Sequence, residues 1–155
     1  MSDVIIRRAL ADEAGLLTRL AMRSKASWGY SAEFMAACEA ELTITPELIA
    51  NWTIWAAEAE GRICGMVALR DGESEGRAEL EDFFVEPEGQ GQGIGSALMA
   101  TLLEACRAGG VRVLGLDADP NAEAIYHRFG FATVGRSPSG SIPGRWLPRM
   151  EKRLA

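Results

Sequence analysis

Glycines at positions 89, 91, 93 and 95 alternate with Gln90, Gln92 and Ile94 between a strand-like segment and a helix-like one. No other stretch limits the fold as tightly. Upstream, Leu80, Phe83, Phe84 and Val85 suit a pleated, half-buried surface, and Pro87 ends the strand because it has no N–H for the ladder. Downstream, from Ser96 on, Leu98, Met99, Leu102, Leu103 and Cys106 recur at helical spacing and form one apolar face. The stretch 79–106 therefore reads as strand, glycine turn, helix. Such a turn offers backbone N–H groups at the positive end of a helix dipole, with no Cβ in the way, and so makes a phosphate cradle. A glycine-rich connection without a ligand is the plain alternative; the backbone entropy that each glycine loses weighs against it.

Two common phosphate loops do not match. A P-loop closes on a Lys–Ser/Thr pair, and no lysine lies between Met66 and Thr101. A dinucleotide fingerprint starting at Gly91 would need its third glycine where Ser96 stands, and would follow the first strand of the fold instead of lying mid-chain. What remains is Gln90-x-x-Gly93-x-Gly95 after Val85-x-Pro87. This pattern resembles the acetyl-CoA pyrophosphate loop of the GNAT N-acetyltransferases. The resemblance implies acetyl-CoA as acetyl donor, held by Gln90, Gly91, Gln92, Gly93, Ile94, Gly95 and Ser96. Phe83 and Val85 would meet it from the strand end, where a backbone N–H near Val85 would steady the oxyanion. Gln90 stands where many members carry arginine, so the pyrophosphate would lean on backbone N–H groups.

A second motif follows a predicted buried strand at 111–116. Residues 117–131, DADPNAEAIYHRFGF, place Asn121 after Pro120 as a helix N-cap, with Ala122, Ile125, Tyr126 and Phe129 on the helix and Gly130 stopping it. The segment resembles the late GNAT motif, N-x-x-A-x-x-x-Y then G-F, compressed to Asn121, Ala124, Tyr126 and Gly130–Phe131. There the asparagine contacts the pantetheine arm and the tyrosine faces the thioester sulfur, which implies Asn121 as a cofactor contact and Tyr126 as general acid. A phenol of pKa about 10 giving a proton to a thiolate near 8.5 runs uphill by only about 2 kcal/mol. Tyr126 as a core residue is the alternative reading.

Acetyl transfer also needs a base, because an alkylammonium of pKa about 10.4 is almost wholly protonated at neutral pH. Strict alternation puts Glu79 and Glu81 on one strand face and Asp82 on the other. LEDFFV, residues 80–85, resembles the same strand of diamine acetyltransferases, whose LED glutamate maps onto Glu81. The resemblance makes Glu81 the expected base and a substrate contact, with Glu79 or a water relay as alternatives. Trp28 and Tyr30 fall in a predicted helix break where the family builds its acceptor site, and Arg145, in the turn-rich tail, is a candidate grip for a substrate carboxylate. Packing roles for the aromatics and a surface role for Arg145 are the alternatives.

The rest of the chain is read in this frame. Strands are predicted at 4–8, 53–60, 62–70, 131–134 and 146–154, with a hairpin turn at Glu60–Gly61. A first helix after Asp12 buries Leu16, Leu17, Leu20 and Ala21, Ser31 caps a second, and 46–50 adds a turn. The expected fold is α+β and GNAT-like, a three-layer single domain over residues 1–155. Its mixed, mostly antiparallel sheet has six to seven strands with a parallel splay, flanked by about four helices. A formal charge of −6 argues against nucleic acid or anionic membrane as partner and suits a cationic amine, small molecule or peptide. Cys38, Cys64 and Cys106 have no metal-ligand spacing and read as reduced thiols; no metal is expected. No secretory pattern is evident at the start, so a cytoplasmic protein is expected. A homodimer is an expectation to which no residue is assigned. The reading is an N-acetyltransferase acting on a primary amine through a direct ternary complex. Its rivals are a non-catalytic CoA-binding module and a nucleotide-binding α/β protein.

Overall fold

The computed structural model describes residues 3–89 and 93–154. In chain order these form β1 (Val4–Arg8), α1 (Ala14–Ala26), α2 (Ala32–Leu42), α3 (Pro46–Asn51), β2 (Thr53–Ala59), β3 (Arg62–Asp71), β4 (Arg77–Val85), α4 (Ile94–Ala108), β5 (Val113–Asp117), α5 (Glu123–Arg128), β6 (Ala132–Pro138) and β7 (Trp146–Arg153). The hairpin between β2 and β3 closes where expected. Glu60 and Gly61 take φ of 53° and 74°, the left-handed pair that matches the twist of the flanking strands. The sheet order is β1-β2-β3-β4-β5-β7-β6. Among the described residues β4–β5 is the parallel pair and every other pairing is antiparallel.

Alternating side chains of the central strands feed two cores. Trp55 and Val67 join Leu98, Met99 and Leu102 of α4, while Ile54, Met66 and Ala68 join Leu17 and Leu20 of α1. The result is helices on both faces of the sheet. Leu98 and Leu102 are fully buried, and each contributes about 1.5–3 kcal/mol by leaving water. A Cβ at Gly65 would stand 2.9 Å from the Leu98 side chain, so glycine there lets α4 settle closely on β3.

Several local expectations change. Leu16 is about half exposed, because the buried stripe of α1 runs through Ala14, Leu17, Leu20, Ala21 and Ser24. Asp12 does not cap; a 3-10 turn over Ala11–Glu13 precedes α1, and Glu13 accepts from Leu10 N at 2.8 Å and from Arg7. Ser31 does cap α2, its hydroxyl accepting from Phe34 N at 3.1 Å. Asn121 is not the cap of the late helix. The Asp119 side chain accepts from Asn121 N at 2.8 Å, and a 3-10 turn over Pro120–Ala122 leads into α5.

The feature that makes a site is the splay of β4 from β5. Their pairing covers Arg77↔Val113, Ala78↔Leu114 and Glu79↔Gly115, yet β4 runs on to Val85. On its other edge β4 carries a bulge: Leu69 pairs with Leu80 and Ala68 with Asp82, so Glu81 has no opposite number. Bulges raise local twist. The strict alternation expected for Glu79, Glu81 and Asp82 is thereby broken.

Candidate active site

The N-terminus of α4 faces the opened splay. Gly93, the N-cap, has φ of 82°, a left-handed conformation that suits glycine, and a Cβ there would meet nothing within 4 Å. At Gly95 a Cβ would lie 3.3 Å from the Phe83 ring, so its absence lets the first helical turn rest on the end of β4. Gln90, Gly91 and Gln92, expected in the same cradle, lie outside the described residues. Ile94 is buried in the α4 core.

A cavity of about 840 Å³ opens here, and its walls include Gly93, Gly95 and Ser96 together with Phe83, Val85 and Tyr126. Tyr126 is buried, its ring 6.0 Å from Phe83 and 5.7 Å from Phe131. The side chain packs in the core and also lines the cavity. Burial, with Asp82 and Asp119 adding to it, pushes its hydroxyl well above the usual phenol range. The phenol therefore stays protonated at neutral pH. Full proton loss is harder for it than for a free tyrosine.

Two of the residues expected to contact the acceptor, Tyr30 and Arg145, come together around Asp119, which sequence reasoning missed. Tyr30 Oη donates to Asp119 Oδ2 at 2.8 Å and accepts from Asn121 Nδ2 at 2.9 Å and from Arg145 Nη2 at 2.6 Å. Lys25 Nζ donates to Asp119 Oδ2 at 3.0 Å. Burial pushes the Asp119 carboxyl up, but the Asn121 N–H, Tyr30 and Lys25 outweigh it and hold it below the ordinary range. The Tyr30 hydroxyl is pushed up to about 12 by burial and by its bond to Asp119. Tyr30 stacks on Phe34 at 4.0 Å, and the Arg145 guanidinium lies over both rings. Trp28 lines the same cavity and is 42% exposed. Among the described residues, Asn121 thus bonds to the Tyr30–Asp119 network.

The three strand carboxylates separate. Glu79 is bound by both Arg149 nitrogens, at 2.6 and 2.8 Å, over Gly115, where a Cβ would strike the pair, and it does not line the cavity. Glu81, on the bulge, lines the cavity but is paired with Arg70 at 2.7 Å. Asp82 lines the cavity, is 9% exposed, and has no ion pair or hydrogen bond among the described residues. Burial first, then the charges of Glu81 and Glu41, push its carboxyl up to about 7. One signal for it was present in the sequence: a carboxylate between Leu80 and Phe84 in an otherwise apolar alternation.

Residues 24–154 match the acetyltransferase (GNAT) domain family. The chain belongs to the GNAT family: it is an N-acetyltransferase whose acetyl donor is acetyl-CoA. By structure it is similar to the PaiA N-acetyltransferase of Thermoplasma acidophilum in complex with coenzyme A (TM-score 0.79, 20% identity, 97% of this chain and 99% of that one). It is also similar to the ribosomal-protein-S18-alanine N-acetyltransferase of Escherichia coli (TM-score 0.70, 19% identity, 99% and 95%). At these identities the likeness is one of fold. By sequence it is 27% identical over 137 residues to the 5-NmdU N-acetyltransferase of Pseudomonas phage PaMx11, covering 88% of this chain and 93% of that protein. It is 34% identical over 90 residues to human N-acetyltransferase 8, a match spanning 54% of this chain and 40% of the human protein. Among the described residues, no helix is long and apolar enough to cross a membrane.

Proposed function

We propose that the protein acetylates a primary amine by direct transfer, with donor and amine in the cavity together and no acetylated side chain formed. One observation carries this reading: a single cavity is walled by the glycine end of α4, by the Tyr126 phenol and by the carboxylates of β4. The bound donor supplies a thioester carbonyl activated for attack. Residues 90–96 would hold its pyrophosphate at the positive end of α4, Phe83, Val85 and Asn121 would flank its arm, and the β4 edge left open by the splay offers backbone groups to its amides. Tyr126 donates a proton to the departing sulfur. Trp28, Tyr30, Glu81 and Arg145 bind the acceptor, with Glu81 held in place by Arg70.

Cys38 also lines the cavity, 2% exposed, so the direct route is open to test. Thiol release from acetyl-CoA is measured with alkyl diamines, amino acids, 5-NmdU and a peptide beginning with alanine. At least one amine should be acetylated. Mass spectrometry of the enzyme with acetyl-CoA alone should find no adduct, and Cys38→Ala should keep wild-type turnover. An acetyl group on Cys38 overturns direct transfer; no thiol release with any amine overturns the acceptor class.

A further inference from the structure

We propose that the acceptor enters as its ammonium form against Asp82, in the recess flanked by Glu41 of α2 and Glu81 of β4, and that Asp82 takes its proton. This rests on the amine-acetylating function proposed above. The geometry is specific. Asp82 is buried, lines the cavity and lacks a partner among the described residues. A carboxylate taken out of water without a counter-charge is unfavourable, and a cation brought to it offsets that loss. The groups around it are Glu81 beside it, itself held by Arg70 of β3, Glu41 from α2, and the Tyr126 hydroxyl from α5. Of the cavity cations, Lys25 and Arg145 lie against Asp119, and Arg128 of α5 has no ion pair with Asp82 among the described residues. Glu79, by contrast, is locked to Arg149 away from the cavity.

The step balances. Asp82 takes one ammonium proton, and the freed nitrogen lone pair forms the N–C bond to the acetyl carbon as the C–S bond breaks. The second N–H proton ends on the sulfur by way of Tyr126, and the proton on Asp82 passes to solvent. Ammonium and acetyl-CoA thus yield amide, free thiol and one proton. A base poised near 7 is mostly ionised just above neutrality while the amine is still protonated, the overlap in which a base matters most.

Asp82→Asn should lower turnover about a hundredfold or more at pH 7.5, with the thermal shift from acetyl-CoA retained. In wild type, kcat/KM should fall with an acid limb near pH 7. That limb should vanish in Asp82→Asn and move to lower pH in Glu41→Gln and Glu81→Gln, because each removes a negative neighbour that favours the protonated carboxyl. An active wild type with an unimpaired Asp82→Asn, or with the acid limb persisting in it, overturns the assignment. Should Asp82→Asn also lose the acetyl-CoA shift, the two glutamine variants decide: displaced limbs support the proposal and unmoved limbs overturn it. Silence of the wild type with every amine overturns the function itself, and this assignment with it.

Discussion

Tyr30 and Asp119 meet across 89 positions of chain, the phenol oxygen 2.9 and 2.8 Å from the two carboxylate oxygens. The pair fastens the break between α1 and α2 to the turn that starts α5, and it collects Lys25, Asn121 and Arg145 around itself. Elements from the start, middle and end of the chain thereby share one wall of the cavity.

Tyr30→Phe keeps the stack on Phe34 and removes the hydroxyl. Melting should show a loss of about 1.5–3 kcal/mol, the range for a hydrogen bond to a charged group. The acceptor KM should rise while acetyl-CoA affinity stays near wild type. Equal loss of affinity for donor and acceptor would mean the network serves the whole cavity and not its acceptor wall.

Asp82 sets up a conflict between stability and chemistry. Its folded carboxyl titrates near 7 against 3.8 when unfolded. The stabilisation is therefore fully present below the unfolded value and is lost as pH rises through about 7. The full loss is on the order of 4 kcal/mol. Asp82→Asn should accordingly melt higher than wild type at pH 8, by several degrees, with the gap closing toward pH 4. A gap that does not change with pH would contradict a raised carboxyl.

Tyr126→Phe removes a hydroxyl that has no hydrogen bond among the described residues, so the melting temperature should hardly move. Turnover should drop tenfold or more if the phenol supplies the sulfur's proton, with acetyl-CoA affinity little changed. Unchanged turnover would leave Tyr126 a packing residue.

Gly93→Ala forces a Cβ onto φ of 82°, at a cost of about 1–2 kcal/mol. It should weaken acetyl-CoA binding, read by calorimetry, while the fold persists. Gly135→Ala is the control, since its φ is ordinary and a Cβ there meets nothing within 4 Å. Equal donor affinity in both variants would remove the helix end from the cradle.

What the sequence determined by itself is what short-range physics decides. The apolar face of α4, the left-handed turn at Glu60–Gly61 and the Ser31 cap depend on residues a few positions apart, and each stands where the pattern put it. The same holds for the left-handed Gly93 at the start of α4, whose dihedral is a local matter. Only the tertiary structure decided the rest. The bulge at Glu81 arises from how β4 registers against β3, which no alternation within β4 can reveal. That slip ties Glu81 to Arg70, buries Asp82 in the cavity wall and leaves Glu79 to an arginine seventy positions away. Asp119 took over the cap expected of Asn121 because Tyr30, Lys25 and Arg145 hold its carboxylate, and those partners arrive from other elements. Burial and distant charge set the proton affinities of Asp82 and Tyr126, and both are properties of the packed whole.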